Sequence, residues 1–422
     1  MPMRLAAIVL VCLLGAGAQA PPGDATAARV FAHPAYRAAV DILDRTFPQF
    51  LEDVSALTEI PAPPAKESAR AAAMLARMRD AGLSAALDAA GNVVALHRGG
   101  GGPLLAIAAH LDTVFPAGTD VRVRRSGTRW SAPGIGDNGL GLAVLLALAR
   151  AITSSRAPLA SDVLFIADVG EEATGDLRGI RYVMTQGPFR GRIAQLIAID
   201  GAGDGRVVTS AGVGSVRYRV TFDGPGGHSY GLFGIVNPAN ALAGAIDALA
   251  HVQVPESPRT TFNVGLIGGG TSVNSIPSAV WMDVDLRSES PDELARLDRS
   301  FRDLVARAVD EENRARSTRL GAISASIDRL GERPSGRTAA HAPLMRTTSA
   351  ALRLTGIVPE YVASSTDANL PMSLGVPAIA IDTGIPGGSP HAPDEWIDVD
   401  RSTTLGALQR DLLIVLSAAG LR

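Results

Sequence analysis

The 422-residue chain has one cysteine, only 4% aromatic residues and almost no lysine. Each scarcity excludes something. Cys12 stands alone, so neither an internal disulfide nor a cysteine-ligated metal site is available. Lys66 is the sole lysine, and arginine supplies the rest of the cationic residues, a bias of composition rather than a sign of function. The formal net charge is -3 with both signs spread along the chain, which leaves no basic face for nucleic acid. Beyond the first twenty residues, no stretch is expected to be long and apolar enough for a transmembrane helix, so no stable membrane anchor is expected. What is plentiful is aliphatic: 46% hydrophobic residues, with 45 glycines and 27 prolines. That describes a globular, loop-rich protein, long enough for two or three domains.

Residues 1–18 read as an export signal. Arg4 provides the positive start, Leu5 to Gly15 the short apolar core, and Ala16-Gly-Ala18 a small-residue cleavage site. The apolar run is too short to span a bilayer. Leu10-Val11 before Cys12 do not suit a lipoprotein signal. Cleavage after Ala18 would leave a cysteine-free protein in an exported location, periplasmic or secreted.

The remaining sequence alternates helix and strand patterns. Apolar spacing predicts helices over Tyr36–Leu57 and Lys66–Ala81, the second closed by Gly82. A hairpin turns at Ala90-Gly-Asn92. Buried-strand runs at Leu104–Ala109, Val163–Ala167 and Leu196–Ile199 flank a packed helix at Gly139–Ile152. This is α/β order with a mostly parallel central sheet. Near Val207 the pattern changes. Strands at Ser215–Phe222, Thr261–Leu266, Ala279–Leu286 and Ile323–Ile327, with helices at Asn237–Val252 and Pro291–Arg314, form an α+β sandwich inserted into the first domain. The expected boundaries are 35–208 and 329–422 for the interrupted domain and 209–328 for the insert.

Chemistry-bearing residues sit at the ends of these strands. His110 ends one run, with Asp112 two residues on, able to hold the second imidazole nitrogen. Asp137 lies in Gly-Ile-Gly-Asp-Asn-Gly, where a helix N-cap is the common role of an Asp. Glu171-Glu172 follow another strand. Two adjacent carboxylates repel, and a division of labour in a metal site, one ligand and one general base, removes the repulsion. Asp200 ends a third strand, and His391 lies in a rigid Gly/Pro loop. Imidazole and carboxylate donors suit zinc, and two ions about 3.5–4 Å apart need a carboxylate that bridges them.

In this order and spacing the chain resembles the co-catalytic di-zinc metallopeptidases and amidohydrolases, the family of peptidase T, glutamate carboxypeptidase, aminoacylase and succinyl-diaminopimelate desuccinylase. The resemblance runs from about Pro48 to the C-terminus. It implies two divalent ions, with His110 and Asp200 on one, Glu172 and His391 on the other, and Asp137 between them. Zinc is the expected metal, and cobalt or manganese would suit the same donors. It further implies Asp112 behind His110 and Glu171 as the base. The insert resembles that family's lid or dimerisation domain. In it Gly226-Gly-His228-Ser matches a segment whose His steadies the oxyanion in a partner subunit. Asn274, in Gly-Gly-Gly-Thr-Ser-Val-Asn-Ser-Ile-Pro, matches a substrate contact. Arg287, in Asp-Val-Asp-Leu-Arg, matches a residue that takes a substrate carboxylate, for which the guanidinium fork is suited. A salt bridge on the lid sheet is the other reading of Arg287.

The implied activity is exopeptidase hydrolysis of short peptides by a homodimer. An N-acyl-amino-acid amidohydrolase is the alternative with the same chemistry, and a non-catalytic peptide-binding dimer is the alternative from another class. Ser364-Ser-Thr-Asp367-Ala-Asn369 resembles a loop of peptidase-like members but does not fix the substrate.

Overall fold

The computed structural model describes residues 22–422, so the expected export signal at 1–18 lies outside the described residues. The order of strand and helix sets the architecture. Gly102–His110 pairs in parallel with both Ser161–Asp168 and Ile193–Ile199, and Ala378–Ile381 continues the parallel set beside Ile193–Ile199. These are apolar runs buried on both faces, as a parallel core requires. The Ala85–Leu87/Val93–His97 hairpin extends one side antiparallel to Ser161–Asp168. On the other side Val207–Gly212 lies antiparallel to Ala378–Ile381 and parallel to Glu360–Ser364, and Gly336–Arg337 closes the sheet. One face is covered by a large core containing helices Gly141–Ser155 and Arg401–Ala419, the other by a smaller core with Arg178–Thr185.

A second sheet is built wholly from residues 214–333. Its order is Thr260–Gly269, Ala279–Ser288, Gly214–Asp223, Ser324–Arg333, antiparallel throughout. Alternating side chains such as Tyr218, Val220, Met282 and Val284 pack under helices Pro238–Ala250 and Pro291–Ala315. Because residues before and after this block feed the first sheet, the chain crosses between sheets twice, near Val213 and near Pro334. Val207–Gly212, part of the expected insert beyond residue 208, belongs to the first sheet.

Three details differ from the sequence reading. The expected helix over Tyr36–Leu57 is two helices, Pro34–Arg45 and Phe47–Thr58. Pro48 lacks an N–H and its ring would meet a preceding carbonyl in a continuous helix, so the chain restarts at Thr46. The expected Ile323–Ile327 strand runs on to Arg333 past a bulge at Arg329/Gly331. Third, residues Ile135–Ser155 are long and apolar enough to cross a membrane, with a hydropathy of 1.5, contrary to the expectation that no such stretch follows the leader. That window is 89% buried inside the protein, as the central core helix of an α/β domain is.

Candidate metal centre

Strand ends at the C-terminal edge of a parallel sheet are where α/β folds place ligands. His110 and Asp200 stand there, at and just after the ends of their strands, and Glu171-Glu172 follow Ser161–Asp168 by a short loop. The loop that follows the glutamates holds Ala173, Asp176 and Leu177 in left-handed conformation, as are Ser389 and His391 in the loop opposite. Non-glycine residues adopt that conformation at a cost, and they concentrate at functional loops.

The five residues converge. The Nε2 of His110 lies 3.0 Å from Asp137 Oδ1 and 3.5 Å from Asp200 Oδ1. The Nε2 of His391 lies 3.1 Å from Asp137 Oδ2 and 3.3 Å from Glu172 Oε1. His110, Asp137 and Asp200 thus form one set of donor atoms within 4.8 Å, and Asp137, Glu172 and His391 form a second. Asp137 belongs to both. Each of its oxygens faces a different imidazole, the arrangement a bridging carboxylate needs.

The donor set fits divalent cations. Asp137 Oδ1 and Glu172 Oε1 are buried and accept no hydrogen bond, which is costly unless something else meets them. The neighbouring carboxylates favour the protonated form of both imidazoles. Asp137 and Glu172 raise His391 to about 10. Burial pulls His110 down, yet Asp112, Asp137 and Asp200 outweigh it and raise it well above its ordinary value. Carboxylates clustered so that they favour positive charge in this way fit a pair of divalent cations.

Asp112 meets the second imidazole nitrogen of His110, as the sequence reading expects, with its backbone carbonyl nearer than its carboxylate. The His110 Nδ1 meets the backbone carbonyl of Asp112 at 3.0 Å, while the nearer carboxylate oxygen stands 3.7 Å away. That carboxylate instead accepts the backbone N–H groups of Glu171 and Glu172, at 3.0 and 2.8 Å. Asp112 therefore fixes both sides: the imidazole through its carbonyl and the glutamate loop through its side chain.

Glu171 is 5% exposed and points into the same cleft. Burial pushes its carboxyl up to about 8, against the opposing charges of Arg333 and His110. The cleft measures about 980 Å³ and is lined by Asp137, Glu171, Glu172, Asp200 and His391, with Arg217, Arg287 and Arg333 facing them from the second sheet. Arg287 joins Asp285 at 2.6 Å and still lines the cleft, so the salt bridge and the carboxylate-binding reading coexist. His228 and Asn274 stand apart. His228 sits on the short strand Gly227–His228 and Asn274 in the turn just before its partner strand Ser275–Ile276; both are exposed, and neither lines the cleft of its own chain.

Sequence reasoning missed Glu395, Asp168 and Arg333, and gave Asp367 no role at the site. Glu395 accepts the N–H groups of Gly134, Gly136 and Asp137 at 2.7–2.9 Å and so shapes the loop that presents Asp137. Its place four residues after His391 was the only available signal. Asp168 and Asp367 lie buried behind His110, and burial raises both. Asp168 also raises Asp367, since like charges in one buried place disfavour ionisation. Arg333 reaches Glu171 from the far end of the second sheet.

Replacing Glu395 by alanine leaves three N–H groups of a buried loop without an acceptor, and should weaken divalent-ion affinity about 10- to 100-fold, as loss of a group behind a ligand does. Competition against a chromophoric chelator reads that change. An unaltered affinity would mean that the loop holds its shape unaided.

The sequence model of peptidase family M20/M25/M40 matches residues 106–413. The chain belongs to that family. Its members are metallo-hydrolases acting on peptide or amide bonds and bind a dinuclear metal centre, and this M20/M25/M40 enzyme carries the donor set for one. Among solved structures it is similar to aminopeptidase PepT of Bacillus cereus, with 18% identity over 88% of this chain and 98% of that one and a TM-score of 0.70. A tripeptidase from Staphylococcus aureus gives 20% identity, 87% and 98% coverage and a TM-score of 0.71. A dinuclear metal-binding M20 peptidase from Bacillus subtilis gives 16%, 88% and 99%, with a TM-score of 0.63. At these identities the likeness is one of fold. No curated protein matches by sequence.

Proposed function

We propose that this M20/M25/M40 enzyme is an exported exopeptidase that hydrolyses short peptides with two zinc ions and works as a homodimer. The observation that carries the reading is the pair of donor sets sharing Asp137, with the buried Glu171 beside them in a cleft also lined by Arg287. His110 and Asp200, Glu172 and His391, and Asp137 common to both sets would hold two divalent ions, which when bound would supply Lewis-acid polarisation of an amide carbonyl and lower the pKa of a water at the site. Glu171 takes the proton from that water and delivers it to the leaving amine. The guanidinium of Arg287 accepts the free carboxylate of the substrate. No side chain becomes covalently attached.

His228 acts in the partner's site. Its Nδ1 accepts the N–H groups of Tyr230 and Gly231, each at 3.3 Å, which leaves Nε2 protonated and able to donate to an oxyanion. Gly226 and Gly227, at φ 66° and 143°, give the backbone the turn that turns this ring away from its own domain. Asn274, in the turn just before the paired strand, contacts substrate there. The Thr260–Gly269 strand is a sheet edge with Leu266 and Ile267 exposed, which suits two-fold pairing with a second copy. Export rests on the leader pattern at 1–18.

Dipeptides, tripeptides and N-acyl amino acids assayed with zinc, manganese or cobalt test the substrate reading. Preferential release of amino acids from free peptides supports it. Preference for N-acyl amino acids makes the enzyme a deacylase instead.

A further inference from the structure

The Ser-Ser-Thr-Asp-Ala-Asn motif at 364–369 is left without a role by the metal centre, and its contacts lead to the crossings between the two sheets. The side-chain amide of Asn369, fully buried, donates to the carbonyls of Val213 and Pro334, at 2.8 and 3.0 Å. Those residues lie where the chain enters and leaves the second sheet. Beside Pro334 the guanidinium of Arg333 is 4% exposed. Its Nη1 donates to Glu171 Oε1 at 2.9 Å and to Ser365 Oγ at 3.0 Å, and its Nη2 donates to the Glu171 carbonyl.

Further bonds tie the same end of the second sheet to the glutamate loop. The Glu332 N–H donates to Asp176 Oδ1 at 2.7 Å, Arg181 donates to the Glu332 carbonyl at 2.9 Å, and Arg217 donates to the Ala173 carbonyl at 2.6 Å. Carboxylate and carbonyl of one residue held by one planar fork fix both ends of that side chain, which an ammonium on a flexible stem would not do.

We propose that Arg333 is a positioning residue of the hydrolysis. It carries the geometry of the crossing between the two sheets to Glu171, and Ser365 and Asn369 hold it in place. The inference rests on the reading of Glu171 as general base. Arg333 holds one carboxylate oxygen and so leaves the other to face the water. A guanidinium spent on Glu171 is not the anchor of the substrate carboxylate, which remains with Arg287.

The test uses the full-length, metal-loaded enzyme and a tripeptide substrate. Arg333→Met should lower kcat about 10- to 100-fold, the effect of losing charge-assisted hydrogen bonds, with KM changed less than threefold and metal content unchanged. Arg333→Lys should recover part of kcat, and guanidinium ion added to Arg333→Ala should restore turnover saturably. Adding Arg333→Met to Glu171→Gln should cost nothing further. An increase of KM alone would make Arg333 a substrate anchor, and loss of thermal stability with normal kcat would make it a structural strut; either overturns the proposal. Should Arg333→Met not fold, Ser365→Ala and Arg333→Lys give the same split between kcat and KM. Normal turnover in Glu171→Gln alone would overturn the general-base reading itself, an outcome distinct from a normal Arg333→Met beside an inactive Glu171→Gln.

Discussion

Glu171→Gln is expected to lower kcat by about 10²- to 10⁴-fold, the usual contribution of a positioned general base, while the enzyme keeps its full complement of metal. The amide is nearly the size of the carboxyl and still accepts the Arg333 hydrogen bond, so the loop should hold. What it cannot do is take a proton from water. Glu172→Gln should behave in the opposite way. Its Oε1 is a buried acceptor without a hydrogen bond, 3.3 Å from the His391 ring, and losing that charge should weaken metal binding first and turnover as a consequence. Metal content and kcat measured on both variants separate the two roles. If Glu171→Gln loses metal and Glu172→Gln keeps it, the assignment within the pair is reversed. Glu171 also sets the pH dependence. Burial raises its pKa to about 8, and bound cations favour the charged form and pull it back down. Activity should therefore rise with pH along an acidic limb that lies below 8.

His228→Ala is expected to cost about 2.7–4 kcal/mol of transition-state stabilisation, as loss of one oxyanion donor does elsewhere, which is on the order of 10²- to 10³-fold in kcat. Metal content should not change, because His228 stands outside both donor sets. The distinctive result comes from mixing. Chains carrying His228→Ala and chains carrying Glu171→Gln are each nearly inactive alone. If His228 serves the partner's site, a mixed dimer holds one site with both residues intact, and activity should partly return. Demonstrated subunit exchange with no return of activity would remove His228 from the partner's site. The exposed ring of His228 and its absence from the cleft of its own chain motivate this experiment.

The parts of the fold that were legible share one property: their signal is local. Continuous apolar runs such as Leu104–Ala109 announce a strand buried on both faces, and the residue at the run's end inherits a place at the sheet's edge. His110, Asp200 and the glutamate pair could be located in this way. The alternating strands of the second sheet were legible for the same reason. The tail of its last strand was not, because Asp328–Arg333 is polar and bulged and has no period to read. Arg333 was lost with it. Its partner Glu171 lies 162 residues away, and nothing near Arg333 in sequence marks that meeting. Glu395 was hidden differently. It looks like a surface acid in a Pro-rich loop, yet three backbone N–H groups of another loop close around it. Asp112 was legible as the partner of His110, but not its carboxylate's bonds to the backbone of Glu171 and Glu172, some sixty residues away.

The central claim, that hydrolysis depends on two ions held by donor sets sharing Asp137, is tested most directly by counting metal. Purified enzyme should be stripped with a chelator, titrated with zinc, and measured by elemental analysis alongside peptide hydrolysis, for the native sequence and for Asp137→Ala. The account predicts two ions per chain, hydrolysis that vanishes on stripping and returns as the ions are restored, and an Asp137→Ala variant that cannot retain the pair. Full hydrolysis by metal-free enzyme, or two ions and full activity in Asp137→Ala, would contradict it.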